Sequence, residues 1–96
     1  MVAYMIAESM VNDPALMQDY AKKAGPTVAA HGGKVLVAAG AIAHMDGAWN
    51  PKRLFVIEFP SMAAAKGWYN SPEYQAILPM RLAASTGSLV FVEGTG

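Results

Sequence analysis

The sequence predicts an α+β domain of order β-α-β-β-α-β, with a four-stranded antiparallel sheet. Three observations lead there. Short apolar stretches rich in Val, Ile, Phe and Tyr read as strands, and they alternate with two stretches whose apolar residues recur at helical spacing. Turn chemistry joins the second and third strands directly, as in an antiparallel hairpin. The length, 96 residues, suits one domain with one small core, expected over residues 1–96.

Val2 to Ser9 is expected to form the first strand. Asp13-Pro14 then opens a helix: Asp13 offers an N-cap oxygen, and Pro14 fits the first helical position, where its missing N–H costs nothing. Leu16, Tyr20, Ala24 and Val28 make its apolar stripe, and Gly25-Pro26 is expected to kink or interrupt it. His31-Gly32-Gly33 ends it, because glycine tolerates the left-handed conformation that follows a helix. Lys34 to Met45 reads as a long second strand with a bulge or bend at Gly40. Asp46-Gly47 and Asn50-Pro51 supply turn chemistry before a third strand, Lys52 to Phe59. Ser61 caps a short helix to Tyr69, and Ser71-Pro72 opens another, which Pro79 is expected to break in two. Ser85-Thr86-Gly87 reads as a turn before the last strand, which ends at Glu93. This order is the ferredoxin-like pattern.

Such a sheet carries its helices on one face. Yet Leu54-Phe55-Val56-Ile57 and Val35-Leu36-Val37 are apolar at both parities, which belongs to sheets covered on both sides. Composition agrees: 54% of residues are hydrophobic and 15% charged, against about 25% charged in an average domain. A second copy packed sheet to sheet is the simplest cover, so the expected partner is the chain itself, as a homodimer. Seven basic residues balance seven acidic ones without a basic cluster, which argues against nucleic acid. There is no cysteine, hence no disulfide and no thiolate site. The longest apolar run, Val35 to Ala43, is nine residues, well short of the roughly 20 a membrane helix needs. No signal-like leader precedes Glu8, and a soluble cytoplasmic protein is the expectation.

Asp13-Pro14, Tyr20, Pro26, Gly32-Gly33, Glu58-Phe59-Pro60, Trp68-Tyr69, Ser71-Pro72-Glu73-Tyr74 and Arg81 follow the order of a bacterial family known as domain of unknown function 1330. The chain resembles that family from Ala3 to Gly94, most specifically in Phe59-Pro60-Ser61 and Ser71-Pro72-Glu73-Tyr74-Gln75. The resemblance implies a dimeric α/β barrel, in which two ferredoxin-like sheets face each other. Relatives in that superfamily include cofactor-free monooxygenases, isomerases, haem-degrading enzymes and stress-response proteins, so it implies no single reaction.

Candidate chemistry rests on scattered residues rather than on a motif. Gly32-Gly33 sits between helix and strand, the reverse of a dinucleotide loop, and reads as a helix stop. His31, at the same helix end, reads as a capping residue. His44, near the hairpin end with Trp49 and opposite Arg53 and Leu54, is a candidate proton shuttle. His44 and Asp46 lack a further ligand, so no metal is expected. Glu58 interrupts an apolar strand; it stands either at a wet end or buried as a candidate base. Arg81 follows Tyr74 and Ile77 at helical spacing and needs a carboxylate, Glu58 being the obvious one, or an anionic ligand group. Tyr20, Arg53, Trp68, Tyr69 and Tyr74 complete a candidate lining that ordinary core packing would also explain. The functional expectation is a cofactor-free enzyme, isomerase- or monooxygenase-like, acting on a small apolar molecule. Ligand binding without turnover, or a structural dimer module, are the alternatives.

Overall fold

Strand and helix boundaries follow the capping chemistry closely. In a computed structural model, which describes residues 1–95, β1 spans Ala3–Val11, α1 Pro14–Ala30, β2 Lys34–Ala38, β3 Leu54–Phe59, α2 Met62–Asn70, α3 Pro72–Ala84 and β4 Ser85–Glu93. Gly96, the last residue of the expected domain, lies outside the described residues. Asp13 Oδ1 accepts from the Leu16 amide at 3.1 Å, and Ser61 Oγ from the Ala64 amide at 3.0 Å. Ser71 ends α2 and starts α3 at once. Its Oγ donates to the Trp68 carbonyl at 2.7 Å and accepts from the Tyr74 amide at 3.2 Å.

All strand pairs are antiparallel, in the order β2-β3-β1-β4. The helices cover one face, and the Cα envelope is only 16 Å in its thin direction, one layer of helix upon one of sheet. Alternation along β1 sends Ala3, Met5 and Ala7 into the core and Tyr4, Ile6 and Glu8 to the other face. Pairing carries that division across the sheet. Val56 and Val90 stand beside Ile6, Glu58 and Val92 beside Tyr4, and Val37 beside Val56, all on the face without helices. Val90 and Val92 keep 54% and 47% of their surface exposed. The core on the helical face is aromatic: Trp68 packs 4.2 Å from Tyr74 and 5.5 Å from Phe59, ring centre to ring centre.

Four expectations about the backbone change. Neither Pro26 nor Pro79 divides its helix; α1 and α3 run through both. Each ring lies on the exposed side, as do Lys22 and Gln75, the residues four places earlier whose carbonyls lose an amide donor. Those carbonyls are on the side open to solvent, while packing on the sheet side holds the helix together. The second strand stops at Ala38 rather than Met45, because Ala39 turns to a φ of 58° and donates the last bond, to the Leu54 carbonyl at 2.8 Å. Ala38-Ala39-Gly40-Ala41 buries too little apolar area to hold a strand, and residues 39–53 form a loop, its expected turn marked by Gly47 at φ +84°. Finally, Ser85-Thr86-Gly87 is no turn. β1 extends to Val11, and these residues pair with Val11, Met10 and Ser9.

Candidate functional site

Where α1 leans over the sheet, side chains leave a cleft of about 290 Å³. Its walls are mostly apolar: Met5 and Ala7 of β1, Met17 and Ala24 of α1, Phe55 of β3 and Leu89 of β4. Tyr20, Glu8, Ser9, Arg53 and Arg81 bring the polar groups. A second cleft, of about 330 Å³, opens between α3 and the β1–β4 pair and is lined by Tyr69, Leu82, Ser85 and Phe91. Glu8, Ser9, Arg81 and Leu89 line both, so the two clefts meet at Arg81.

α1 and α3 are fastened just there. The Tyr20 and Tyr74 hydroxyls lie 2.7 Å apart, with the rings edge to face. Burial pushes the phenol of Tyr20 far above its ordinary range, and the neighbouring Tyr74 adds to the effect. Burial also raises Tyr74, although its bond to Tyr20 and the positive charge of Arg81 pull the other way. Both are therefore neutral phenols at neutral pH, able to donate hydrogen bonds but not to act as bases. Arg81 Nε is buried with no hydrogen-bond partner among the described residues. Arg53 is held at the far side, donating to Ser9 Oγ at 3.3 Å with its guanidinium 4.7 Å from the centre of the Phe55 ring.

The other expected site residues fall in different places. Trp68 contributes to the cleft wall but belongs to the core, 1% exposed, and its indole N–H donates to Thr27 Oγ1 at 3.0 Å. Tyr69 faces the second cleft, and Tyr74, fully buried, reaches the site through Tyr20. Glu58 does not meet Arg81. Its place on β3 turns it to the face without helices, between Tyr4 and Lys34, while Arg81 lies on the helical side. Glu8 and Glu58 also stand apart, since Glu8 is level with Leu54 and Glu58 with Tyr4. His44 stays in the exposed loop, its Nε2 2.8 Å from the Gly47 carbonyl; it is not opposite Arg53 and Leu54, because the hairpin that would have put it there ends at Ala38. Glu8 borders both clefts at the edge of β1, while its carboxylate, on the face without helices, accepts from Trp49 Nε1 at 3.0 Å. Among the described residues, no three His, Cys, Asp or Glu side chains gather where they could hold a metal ion. No described helix is long and apolar enough to cross a membrane.

Fold and site together define a ferredoxin-like α+β protein with a small-molecule-sized cleft between its helices and its sheet. The family model described as domain of unknown function (DUF1330) matches residues 2–95, and the chain belongs to that family. Its structure is similar to that of a protein of unknown function from Rhodopseudomonas palustris, with a TM-score of 0.81 and 19% identity, over 99% of this chain and 83% of the other. It is also similar to SnoaB, a cofactor-independent oxygenase from Streptomyces nogalater (TM-score 0.66, 11% identity, 99% and 94% covered). A third neighbour is a dimeric protein of unknown function with a ferredoxin-like fold from Bacteroides fragilis (TM-score 0.63, 13% identity, 97% and 96% covered). At these identities the likeness is one of fold. No curated protein matches the chain.

Proposed function

We propose that this protein is a homodimer packed sheet to sheet as a dimeric α/β barrel, and that each protomer converts a small apolar molecule in the cleft beneath α1 without a bound cofactor. The observation that carries this reading is one juxtaposition: an apolar cleft of about 290 Å³ whose polar end brings together Arg81 and Tyr20. In such chemistry the protein ionises an activated C–H or O–H of the substrate and stabilises the oxygen anion that results. Arg81 and the phenol of Tyr20 stabilise that anion, Tyr74 fixes Tyr20, and the proton passes to solvent water, since Glu8 turns its carboxylate to the face without helices. Trp68 and Arg53 shape the walls, and Tyr69 borders the second cleft. Returning the proton to another carbon gives an isomerase; addition of dioxygen to the ionised substrate gives a hydroperoxide that loses water, leaving one oxygen in an oxidised product, and this gives a monooxygenase in which the substrate itself supplies the electrons. The fold likeness to a cofactor-independent oxygenase supports this class.

The dimer is supported by the face that carries Ile6, Val56, Val90 and Val92, an apolar surface rare on a monomer, and by a dimeric neighbour of the same fold. Binding without turnover is the second reading. It is favoured by the distance of His44 and Glu58, the expected proton movers, from the cleft.

Native mass spectrometry of the purified protein tests all three parts. A dimer carrying one small molecule per protomer is expected. Incubation in air should add one oxygen and remove two hydrogens from that molecule, or leave its mass unchanged with an altered chromatographic retention where it is rearranged. Recovery of an unchanged molecule selects binding alone, and a monomer or a persistently empty cleft overturns the proposal.

A further inference from the structure

Arg81 stands at the junction of the two clefts with a buried Nε that no described group accepts from. A guanidinium nitrogen stripped of water and left without an acceptor costs more than a neutral donor in the same position. Its neighbours do not supply the missing negative charge. Tyr20 and Tyr74 remain neutral because burial holds both phenols protonated. Glu58 faces the opposite side of the sheet, and Glu8 gives Oε2 to Trp49. The C-terminal end of α3 lends Arg81 a favourable partial charge, but the carbonyl of Arg81 itself is taken by the Ser85 hydroxyl at 2.9 Å.

Charge along the apolar cleft has the same bias, since two arginines, Arg53 and Arg81, line it, while Glu8, the carboxylate residue at its border, turns its side chain to the other face of the sheet. Arg53 is already occupied by Ser9 and the Phe55 ring. Arg81 is the cation left to recognise something. A neutral carbonyl would satisfy the donor and leave the charge unanswered; a carboxylate answers both, and charge-assisted bonds of that kind are roughly twice as strong as neutral ones.

Building on the reading of the cleft as a small-molecule site, we propose that its ligand is an amphipathic organic acid. The carboxylate seats on Arg81 where the two clefts meet. The hydrocarbon body lies in the cleft beneath α1, against Met5, Ala7, Met17, Ala24 and Phe55.

Displacement of a neutral apolar dye tests this. Phenylnaphthylamine fluoresces on entering an apolar cleft, and octanoate and octanol differ in the charged group alone. In the wild-type protein octanoate is expected to displace the dye at a concentration at least about tenfold lower than octanol, the factor that one charge-assisted bond supplies. Arg81→Met should abolish that preference while the dye still binds, and Arg81→Lys should restore part of it. Equal displacement by octanoate and octanol in the wild-type protein overturns the proposal but leaves the cleft reading intact. So does a preference that survives in Arg81→Met. Ala21→Leu separates the two ideas: Ala21 lines the cleft from an exposed position on α1, so the longer side chain obstructs the cleft while leucine still suits a helix. If the dye fails to bind the wild-type protein, or binds Ala21→Leu equally well, the cleft reading itself falls and the acid proposal with it.

Discussion

Tyr20 and Tyr74 share a hydrogen bond of 2.7 Å that joins α1 to α3 inside the helical layer. Tyr74 has no exposed surface, whereas Tyr20 also lines the cleft, so the pair connects the core to the candidate site. Removing either hydroxyl leaves the other buried with a partner lost. Tyr20→Phe should therefore destabilise the fold by about 1–3 kcal/mol, measured by urea unfolding. Tyr20→Phe combined with Tyr74→Phe should cost clearly less than the sum of the single changes. Simple additivity would mean that the two hydroxyls do not act as a pair.

The same pair sets a pH dependence. Both phenols have folded-state pKa values raised above the ordinary 10.0. A raised value means that the folded chain keeps protons which the unfolded chain loses, so the contribution to stability is complete below about pH 10 and declines as the pH rises beyond it. Unfolding free energy should fall on passing above pH 10, and ultraviolet titration should find two tyrosines that ionise only as the protein opens. The double Phe variant should show a flatter alkaline limb. An equally steep limb in that variant would put the effect elsewhere.

Glycines with different surroundings should respond oppositely to the same change. At Gly33 an added Cβ would sit 2.5 Å from Val28 Cγ1 and 2.9 Å from Phe59 Cε1, so the end of α1 and the start of β2 touch through a missing side chain. Gly33→Ala is expected to destabilise by about 1–3 kcal/mol through overpacking. Gly67, inside α2, meets nothing within 4 Å. Gly67→Ala should stabilise by about 0.5–1 kcal/mol, because alanine restricts the unfolded chain and suits a helix. Thermal or chemical unfolding of the two variants side by side would expose an error in either sign.

The open sheet face offers a test of assembly that spares the fold. Val90 is 54% exposed in the single chain, so Val90→Lys should change the stability of an isolated protomer by no more than about 0.5 kcal/mol. In a sheet-to-sheet dimer the lysine would meet Ile6, Val56 and Val92 or their equivalents in the second copy. Sedimentation should then show a dimer for the wild-type protein and a monomer for the variant, with matching circular dichroism. A dimer that survives the lysine would place the interface elsewhere.

What the sequence disclosed was set by short-range chemistry. Asp13, Ser61 and Ser71 act within one turn of themselves, and each caps the helix expected of it. Strand order followed from the alternation of elements. The length of β2 did not, because Val35 to Ala43 is continuously apolar and the pairing ends where Ala39 turns to a positive φ beside Leu54. The prolines misled for a related reason: whether Pro26 or Pro79 breaks a helix depends on which side faces water, and that is decided by the sheet. Arg81 and Tyr20 could be placed on inward stripes, but the face chosen by Glu58 hangs on strand parity, where one residue of register reverses the answer. Glu8 borders both clefts because β1, β3 and β4 lie side by side, yet the same parity keeps its carboxylate on the face without helices.

Trp49 supplies the last expectation, because it ties the long loop to that carboxylate. Its indole N–H donates to Glu8 Oε2 at 3.0 Å, while the ring itself is 62% exposed and buries little. Apart from Pro51 and Arg53, residues 39–53 are exposed, so this bond is a principal attachment of the loop to the sheet. Trp49→Phe keeps an aromatic ring and deletes the donor. Global stability should move by no more than about 1 kcal/mol, the net value of one such bond at an exposed position. Local opening should rise instead, seen as faster amide exchange and faster limited proteolysis across residues 39–53. Unchanged exchange in the loop would show that the contact holds nothing in place.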